Sequence, residues 1–167
     1  MTVHRPLPDA APAAAYDDDF ALWCEAQARA LAAGDGAALD WANLAEEIDS
    51  LGKSQRNALE SRLAVIIEHL LKLAYGRNRD PAGKWRSSVQ AQRVAVRRLL
   101  RHNPSLRSLV RTCAEQEYAD VRLLTLTAFE EYEPALRDEY DADLPTTLPY
   151  TPEQLLNLAF LPEPPSA

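Results

Sequence analysis

Apolar side chains recur at intervals of three and four residues along most of the chain, which is the periodicity of amphipathic helices. Three aspartates, Asp17 to Asp19, precede the first such run and Gly34 follows it, so a helix is predicted between them. Asp40 is a predicted N-cap for a second helix that begins at Trp41. No period-two alternation indicates a strand. The pattern predicts an all-α fold, a compact bundle of about five or six helices with a short C-terminal capping helix.

The second predicted helix is interrupted by a glycine. Leu44, Ile48 and Leu51 share one face and are predicted to face the core. Gly52 follows, and a glycine inside a helix costs about 1 kcal/mol relative to alanine. Ser54 would be able to cap a new helix. We therefore expect either a kink or a break in the helix at Gly52.

The most apolar segment of the chain comes next and is predicted to be the central core helix. It ends near Tyr75 and Gly76. Its apolar positions are Leu59, Leu63, Ile66, Ile67, Leu70 and Leu71.

Later helices are predicted from their start and stop signals. Trp85 opens one, and Asn103 is a predicted N-cap for the next, with Pro104 at its first position. That long helix, which includes Leu124 among its apolar positions, is predicted to end near Tyr132.

The C-terminal region is predicted to hold two short helices. One covers residues 135–140, and another follows a capping box formed by Thr151 and Gln154 and runs to Ala159. We predict one helical domain over residues 16–162, a disordered or extended tail over residues 1–15 and a tail over residues 163–167.

Composition supports one globular domain and excludes several classes of protein. The chain has 167 residues, 47% of them hydrophobic, which suffices for a real core. Its 2 cysteines are too few for a disulfide scaffold or a cysteine-ligated zinc site. We see no export signal and no apolar run of membrane-spanning length, so a cytoplasmic location and no membrane partner are expected.

Charge is distributed unevenly along the sequence. Residues 1–52 hold 2 basic and 10 acidic residues, a net charge of −8. Residues 53–111 hold 14 basic and 3 acidic residues, a net charge of +11. Residues 112–167 hold 2 basic and 12 acidic residues, a net charge of −10. Either acidic helices neutralise a basic central pair, or a basic face meets an anionic partner.

A stripe of basic residues along one predicted helix is the first candidate site. Such a stripe would be able to bind phosphates or an acidic partner, although internal salt bridges are the alternative. Its residues are Lys84, Arg86, Arg93, Arg97 and Arg101.

An acidic cluster with a histidine is the second candidate site. Glu46, Glu47 and Asp49 crowd one helix, and carboxylates are found in helical metal sites. Glu47 would approach His69 only if the chain turned near Gly52. The alternatives are that one acid pairs with an arginine, and that His69 is a partly buried histidine. No pattern indicates a catalytic residue, a bound metal or a cofactor.

The sequence also resembles a known family. The run from Asn43 to Gly52, NLAEEIDSLG, is similar to the signature of the bacterial domain-of-unknown-function family twenty-nine. The resemblance covers about residues 16–162 and implies a small helical bacterial protein, without implying any activity. Other matching segments are Tyr16 to Phe20, Trp23, His69 to Lys72, Trp85-Arg86, Asn103 to Leu106, Tyr118, Pro149-Tyr150 and Phe160 to Pro162.

Three functions are compatible with these observations. The first is a non-enzymatic protein-interaction module, with a protein partner or self-association. The second is a nucleic-acid-associated regulator or antitoxin-like protein that uses the basic stripe. The third is a metal-dependent enzyme that uses the acidic and histidine cluster.

Overall fold

Helices make up the regular structure of the residues that the computed structural model describes, 16–78 and 80–163. No strand occurs among these residues, and the predicted all-α class is confirmed. The predicted tail over residues 1–15 lies outside the described residues, as do residues 164–167 of the C-terminal tail. The α-helices are α1 (Phe20–Ala33), α2 (Trp41–Tyr75), α3 (Ala82–His102), α4 (Val110–Tyr132), α5 (Arg137–Asp143) and α6 (Pro152–Leu156).

The chain divides between Lys53 and Ser54 into two compact units. In the first unit, both ends of α1 follow the predicted signals. The Asp19 side chain accepts a hydrogen bond of 3.0 Å from the Leu22 amide, and Gly34 ends α1 with φ of +70°. That φ favours glycine, because a Cβ is unfavourable in the left-handed region. The single domain expected over residues 16–162 stays a prediction.

Helix α2 passes through Gly52 without a break. Of the two alternatives left open at Gly52, the break does not occur, and Ser54 lies inside the helix instead of capping a new one. A Cβ at position 52 would meet no atom within 4 Å from the described residues beyond its own stretch of helix, so their packing does not require a glycine there.

Replacing Gly52 with alanine is expected to raise the free energy of unfolding by about 0.5–1 kcal/mol. The reason is that alanine loses less backbone entropy in a helix and meets no steric obstacle at this position. Urea unfolding of the wild type and Gly52→Ala measures the difference. A destabilised variant would contradict a continuous helix at this position.

The core of the second unit is built from α2, α3 and α4, and also includes Tyr140, Leu144, Tyr150 and Leu155. All six apolar positions predicted for the central helix are fully buried, which confirms that prediction. The predicted apolar face before Gly52 is not core, because Ile48 is 66% exposed and Leu51 is 65% exposed. Leu124, one of the apolar positions of the predicted long helix, is 60% exposed.

The connection between α3 and α4 differs from its prediction. Helix α3 begins at Ala82, before Trp85. Pro104 begins a 3₁₀ helix, Pro104–Leu109, as its fixed φ allows. Asn103 occupies the N-cap position of this 3₁₀ helix, as predicted, but its side chain makes no capping hydrogen bond and donates to the Leu99 carbonyl of α3 at 3.1 Å.

The C-terminal capping box is present as predicted. The Thr151 hydroxyl accepts a hydrogen bond of 3.3 Å from the backbone amide of Gln154. The Gln154 side-chain oxygen accepts one of 2.9 Å from the backbone amide of Thr151. Helix α6 ends at Leu156, earlier than the predicted Ala159. The short helix expected over residues 135–140 is a 3₁₀ helix, Pro134–Leu136, followed by α5.

Candidate functional site

Arg93 does not belong to an exposed basic stripe. Its side chain is fully buried and donates hydrogen bonds to the carbonyls of Leu155 at 2.9 Å, Gln154 at 2.8 Å and Phe160 at 2.6 Å. The last carbonyls of a helix have no partner within it. Arg93 therefore caps the C-terminal end of α6. Burial lowers the pKa of the guanidinium, but arginine keeps its charge in proteins.

The other predicted stripe residues are exposed but do not share one surface. Arg97 and Arg101 line a depression together. Lys84 lines a separate cavity of about 310 Å³ beside Trp85 and Tyr132. The burial of Arg93 thus interrupts the stripe that the spacing of four and seven residues predicted.

Ion pairs in the described part of the chain leave much of α3 unneutralised. The cations that have a carboxylate within ion-pair distance lie on other elements. They are Lys53, Arg56, Lys72, Arg77, Arg111, Arg122 and Arg137. Six exposed cations have no such pair among the described residues. They are Lys84, Arg86, Arg97, Arg98 and Arg101 on α3, and Arg107 on the following 3₁₀ helix.

A groove of about 590 Å³ runs between α2 and α3 within the second unit. Arg62 on α2 bridges to Gln92 on α3 by a hydrogen bond of 3.0 Å. The lining of the groove divides by chemistry into apolar, mostly small side chains, here called the floor, and polar or basic side chains, here called the rim. The floor residues are Ala58, Ala91, Val94, Ala95 and Leu99, and the rim residues are Gln55, Arg62, Arg98, His102 and Asn103.

A second depression, of about 390 Å³, lies on the other side of α3. Three arginines line it, Arg97 and Arg101 from α3 and Arg107 from the 3₁₀ helix. Leu100 and Leu156 complete the lining. Neighbouring residues 97 and 98 of α3 therefore serve two different surfaces.

The family match covers nearly all of the sequence. A family described as "Domain of unknown function DUF29" matches residues 15–161. The chain belongs to the DUF29 family. No curated protein and no solved structure matches it. No helix in the described part of this DUF29 chain is long and apolar enough to span a membrane.

Several residues on which the DUF29 resemblance depends hold the structure together. Tyr16 packs edge-on against Trp23, with ring centroids 5.0 Å apart. The Tyr118 hydroxyl donates to the Pro145 carbonyl at 2.7 Å. Phe160 lies beside the Arg93 guanidinium, whose carbon is 6.0 Å from the ring centroid. These contacts give the motif residues structural roles.

The acidic residues of the DUF29 signature make local contacts in the first unit. Glu47 accepts a hydrogen bond of 2.5 Å from the Tyr16 hydroxyl, and Asp49 pairs with Lys53 at 2.6 Å. The Glu47 bond is the first cause that raises the pKa of Tyr16 to about 12. Glu46 is exposed.

His69 is placed in the second unit. It is half-buried, and its Nδ1 has no hydrogen-bond partner among the described residues. Burial lowers the pKa of its imidazole. The approach of Glu47 to His69 required a turn at Gly52, and α2 is continuous there. Within residues 16–78 and 80–163, no three or more His, Cys, Asp or Glu side chains form a metal-binding group.

The sequence pattern did not reveal two features of the DUF29 chain that the structure brings out. Arg107 joins the arginine depression through the Pro104 turn, which the spacing along α3 does not show. The groove floor was also missed, although Ala91, Val94 and Ala95 fall on a face of α3 away from its buried positions. Small side chains on such a face are a signal for helix docking.

Proposed function

We propose that this DUF29 chain is a non-enzymatic interaction module that binds an acidic amphipathic helix of a partner protein in the groove between α2 and α3. The observation that carries the proposal is the combination of an apolar floor with a rim that holds Arg62 and Arg98 and no carboxylate. A helix laid in an apolar groove is a common mode of peptide recognition.

The length of the groove and the small side chains of its floor suit a bound helix. The groove follows α3 from Ala91 to His102, which corresponds to about 17 Å or three helical turns. Alanine at positions 58, 91 and 95 allows a partner backbone to come close, since packed helices lie about 8–10 Å apart. Val94, at 59% exposed, offers apolar area that a partner would bury.

The rim favours an acidic partner. Arg98 and His102 are exposed and have no ion pair among the described residues, and no carboxylate lines the groove. Complementary charge at the rim of an interface supplies specificity and speeds association. A helix with leucine on one face and glutamate beside it matches both the floor and the rim.

The setting we propose is the bacterial cytoplasm. Cys24 and Cys113 are free thiols, and a reducing compartment keeps thiols unpaired. A nucleic-acid-associated function remains the second candidate, supported by the unpaired cations of α3 and the 3₁₀ helix.

The test uses a fluorescein-labelled peptide of about three heptads, with leucine on one face and glutamate elsewhere. We expect saturable binding to the wild-type protein in an anisotropy titration. Reversing the rim charge in Arg98→Glu is expected to weaken binding about tenfold, because a like charge replaces an attractive one. Filling the floor in Ala91→Trp is expected to weaken it at least as much.

The matched control is Arg97→Glu, the same charge change one residue earlier on α3, outside the groove. It is expected to change the affinity by about twofold or less. A peptide with lysine in place of glutamate is expected not to bind. Equal binding of both peptides, no binding of the acidic peptide, or equal effects at residues 97 and 98 would contradict the proposal. Tight binding of duplex DNA that weakens steeply with salt would favour the second candidate.

A further inference from the structure

We propose that Arg97, Arg101 and Arg107 form a binding site for the phosphate group of a small phosphomonoester. The site is separate from the α2–α3 groove, and the proposal does not depend on the function assigned to that groove. The three guanidinium groups line one depression of about 390 Å³.

The first argument is electrostatic. Like charges that share a surface depression repel, and this repulsion is ordinarily relieved by nearby carboxylates. Among the described residues, none of the three arginines has a carboxylate within ion-pair distance, whereas Arg111 on α4 pairs with Glu115 at 3.1 Å. A bound anion would relieve the repulsion.

One candidate counterion is Glu153, which shares an adjoining depression with Arg107. Its carboxylate is engaged at the N-terminal end of α6, where hydrogen bonds from its own backbone amide and Thr151 lower its pKa. The arginine that adds to this lowering is Arg111, and no ion pair joins Glu153 to Arg107. Glu153 therefore leaves the three guanidinium groups available.

The second argument is that the fold fixes the walls of the depression. Arg97 and Arg101 are one turn apart on α3, and Pro104 starts the 3₁₀ helix that carries Arg107. Leu156 of α6 also lines the depression, and buried Arg93 attaches α6 to α3 through the carbonyls of residues 154 and 155. The three arginines are thus presented by elements that are held in place.

The third argument concerns the ligand. Guanidinium groups bind phosphate oxygens through paired hydrogen bonds, and three cations suit a doubly charged phosphomonoester better than a single carboxylate. The depression is larger than one phosphate needs, and Leu100 and Leu156 give the remainder an apolar wall. That wall would contact the organic part of the ligand.

The experiment titrates the purified full chain with phenyl phosphate and follows the backbone amides by NMR. We expect saturable shifts at residues 97, 101 and 107, with benzoate binding at least about tenfold more weakly. Arg101→Gln and Arg107→Gln are each expected to weaken phenyl phosphate binding about tenfold. Arg98→Gln is the matched control, because Arg98 lines the groove, and it is expected to leave binding within about twofold.

Three results would overturn the proposal. One is the absence of saturable shifts with phenyl phosphate, and another is an equal loss in Arg98→Gln, which would indicate general charge attraction. The third is binding of duplex DNA through these arginines without binding of phenyl phosphate, which would assign the surface to nucleic acid. Helical circular dichroism confirms that each variant is folded.

Discussion

Replacing Arg93 with alanine is expected to lower the free energy of unfolding by about 3–5 kcal/mol. The change removes three hydrogen bonds that the charged guanidinium donates, so the carbonyls of residues 154, 155 and 160 lose this donor. It also opens a cavity where the fully buried side chain was. Urea unfolding measures the loss, and amide hydrogen exchange over residues 151–160 shows whether this segment opens first.

Two variants separate the role of Arg93 from a general effect of charge. Arg93→Lys is expected to recover only part of the stability, because one ammonium group lacks the planar fork that serves several acceptors. Arg97→Ala, one turn along the same helix but exposed, is expected to change stability by about 0.5 kcal/mol or less. A loss below about 1 kcal/mol in Arg93→Ala would contradict the capping role of Arg93.

Leu63→Ala is expected to lower the free energy of unfolding by about 2–5 kcal/mol, and Leu51→Ala by about 0.5 kcal/mol or less. Both leucines lie on α2 and both belong to an apolar periodicity. Leu63 is fully buried in the core, whereas Leu51 is 65% exposed. The same deletion therefore removes close packing at one position and little at the other.

Thermal and urea unfolding of the two variants would make this comparison. Similar losses of stability at positions 51 and 63 would contradict the exposure of the first apolar face of α2. A concentration-dependent loss in Leu51→Ala would indicate instead that the exposed face is covered by another copy of the chain.

Helix ends were the most predictable part of the fold. The signals for a helix end lie within a few residues of it, so the aspartates before α1, Gly34 after it and Thr151 before α6 could be recognised from the sequence alone. Asn103 occupies its predicted N-cap position but makes no side-chain capping bond, because its amide group can donate as well as accept. It donates backwards to Leu99, which sequence spacing cannot distinguish from capping.

Burial was less predictable, because periodicity shows that a helix has an apolar face without showing what covers it. Leu59 and Leu51 carry the same signal, yet one is fully buried and the other is not. Arg93 was placed in the wrong environment for a related reason. Its spacing matched the exposed arginines, and its carbonyl acceptors lie more than 60 residues later in the chain.

The candidate site was only partly predictable. The excess of basic charge over residues 53–111 indicated an anionic partner or internal neutralisation. Which arginines pair with carboxylates depends on tertiary contacts such as Arg77 with Glu139, at 2.7 Å. Arg97 and Arg98 line two different surfaces. That assignment also depends on the positions of α2 and the 3₁₀ helix, which the local sequence pattern does not provide.

The most direct test of the proposed function locates the bound peptide on the protein. The leucine and glutamate peptide is titrated into ¹⁵N-labelled protein, and the amide shifts are mapped. We predict the largest changes at Ala58, Ala91 and Ala95, where the groove floor lies, and small changes at Arg101 and Arg107. Changes concentrated at Arg101 and Arg107, or no saturable change at any residue, would contradict a helix-binding groove between α2 and α3.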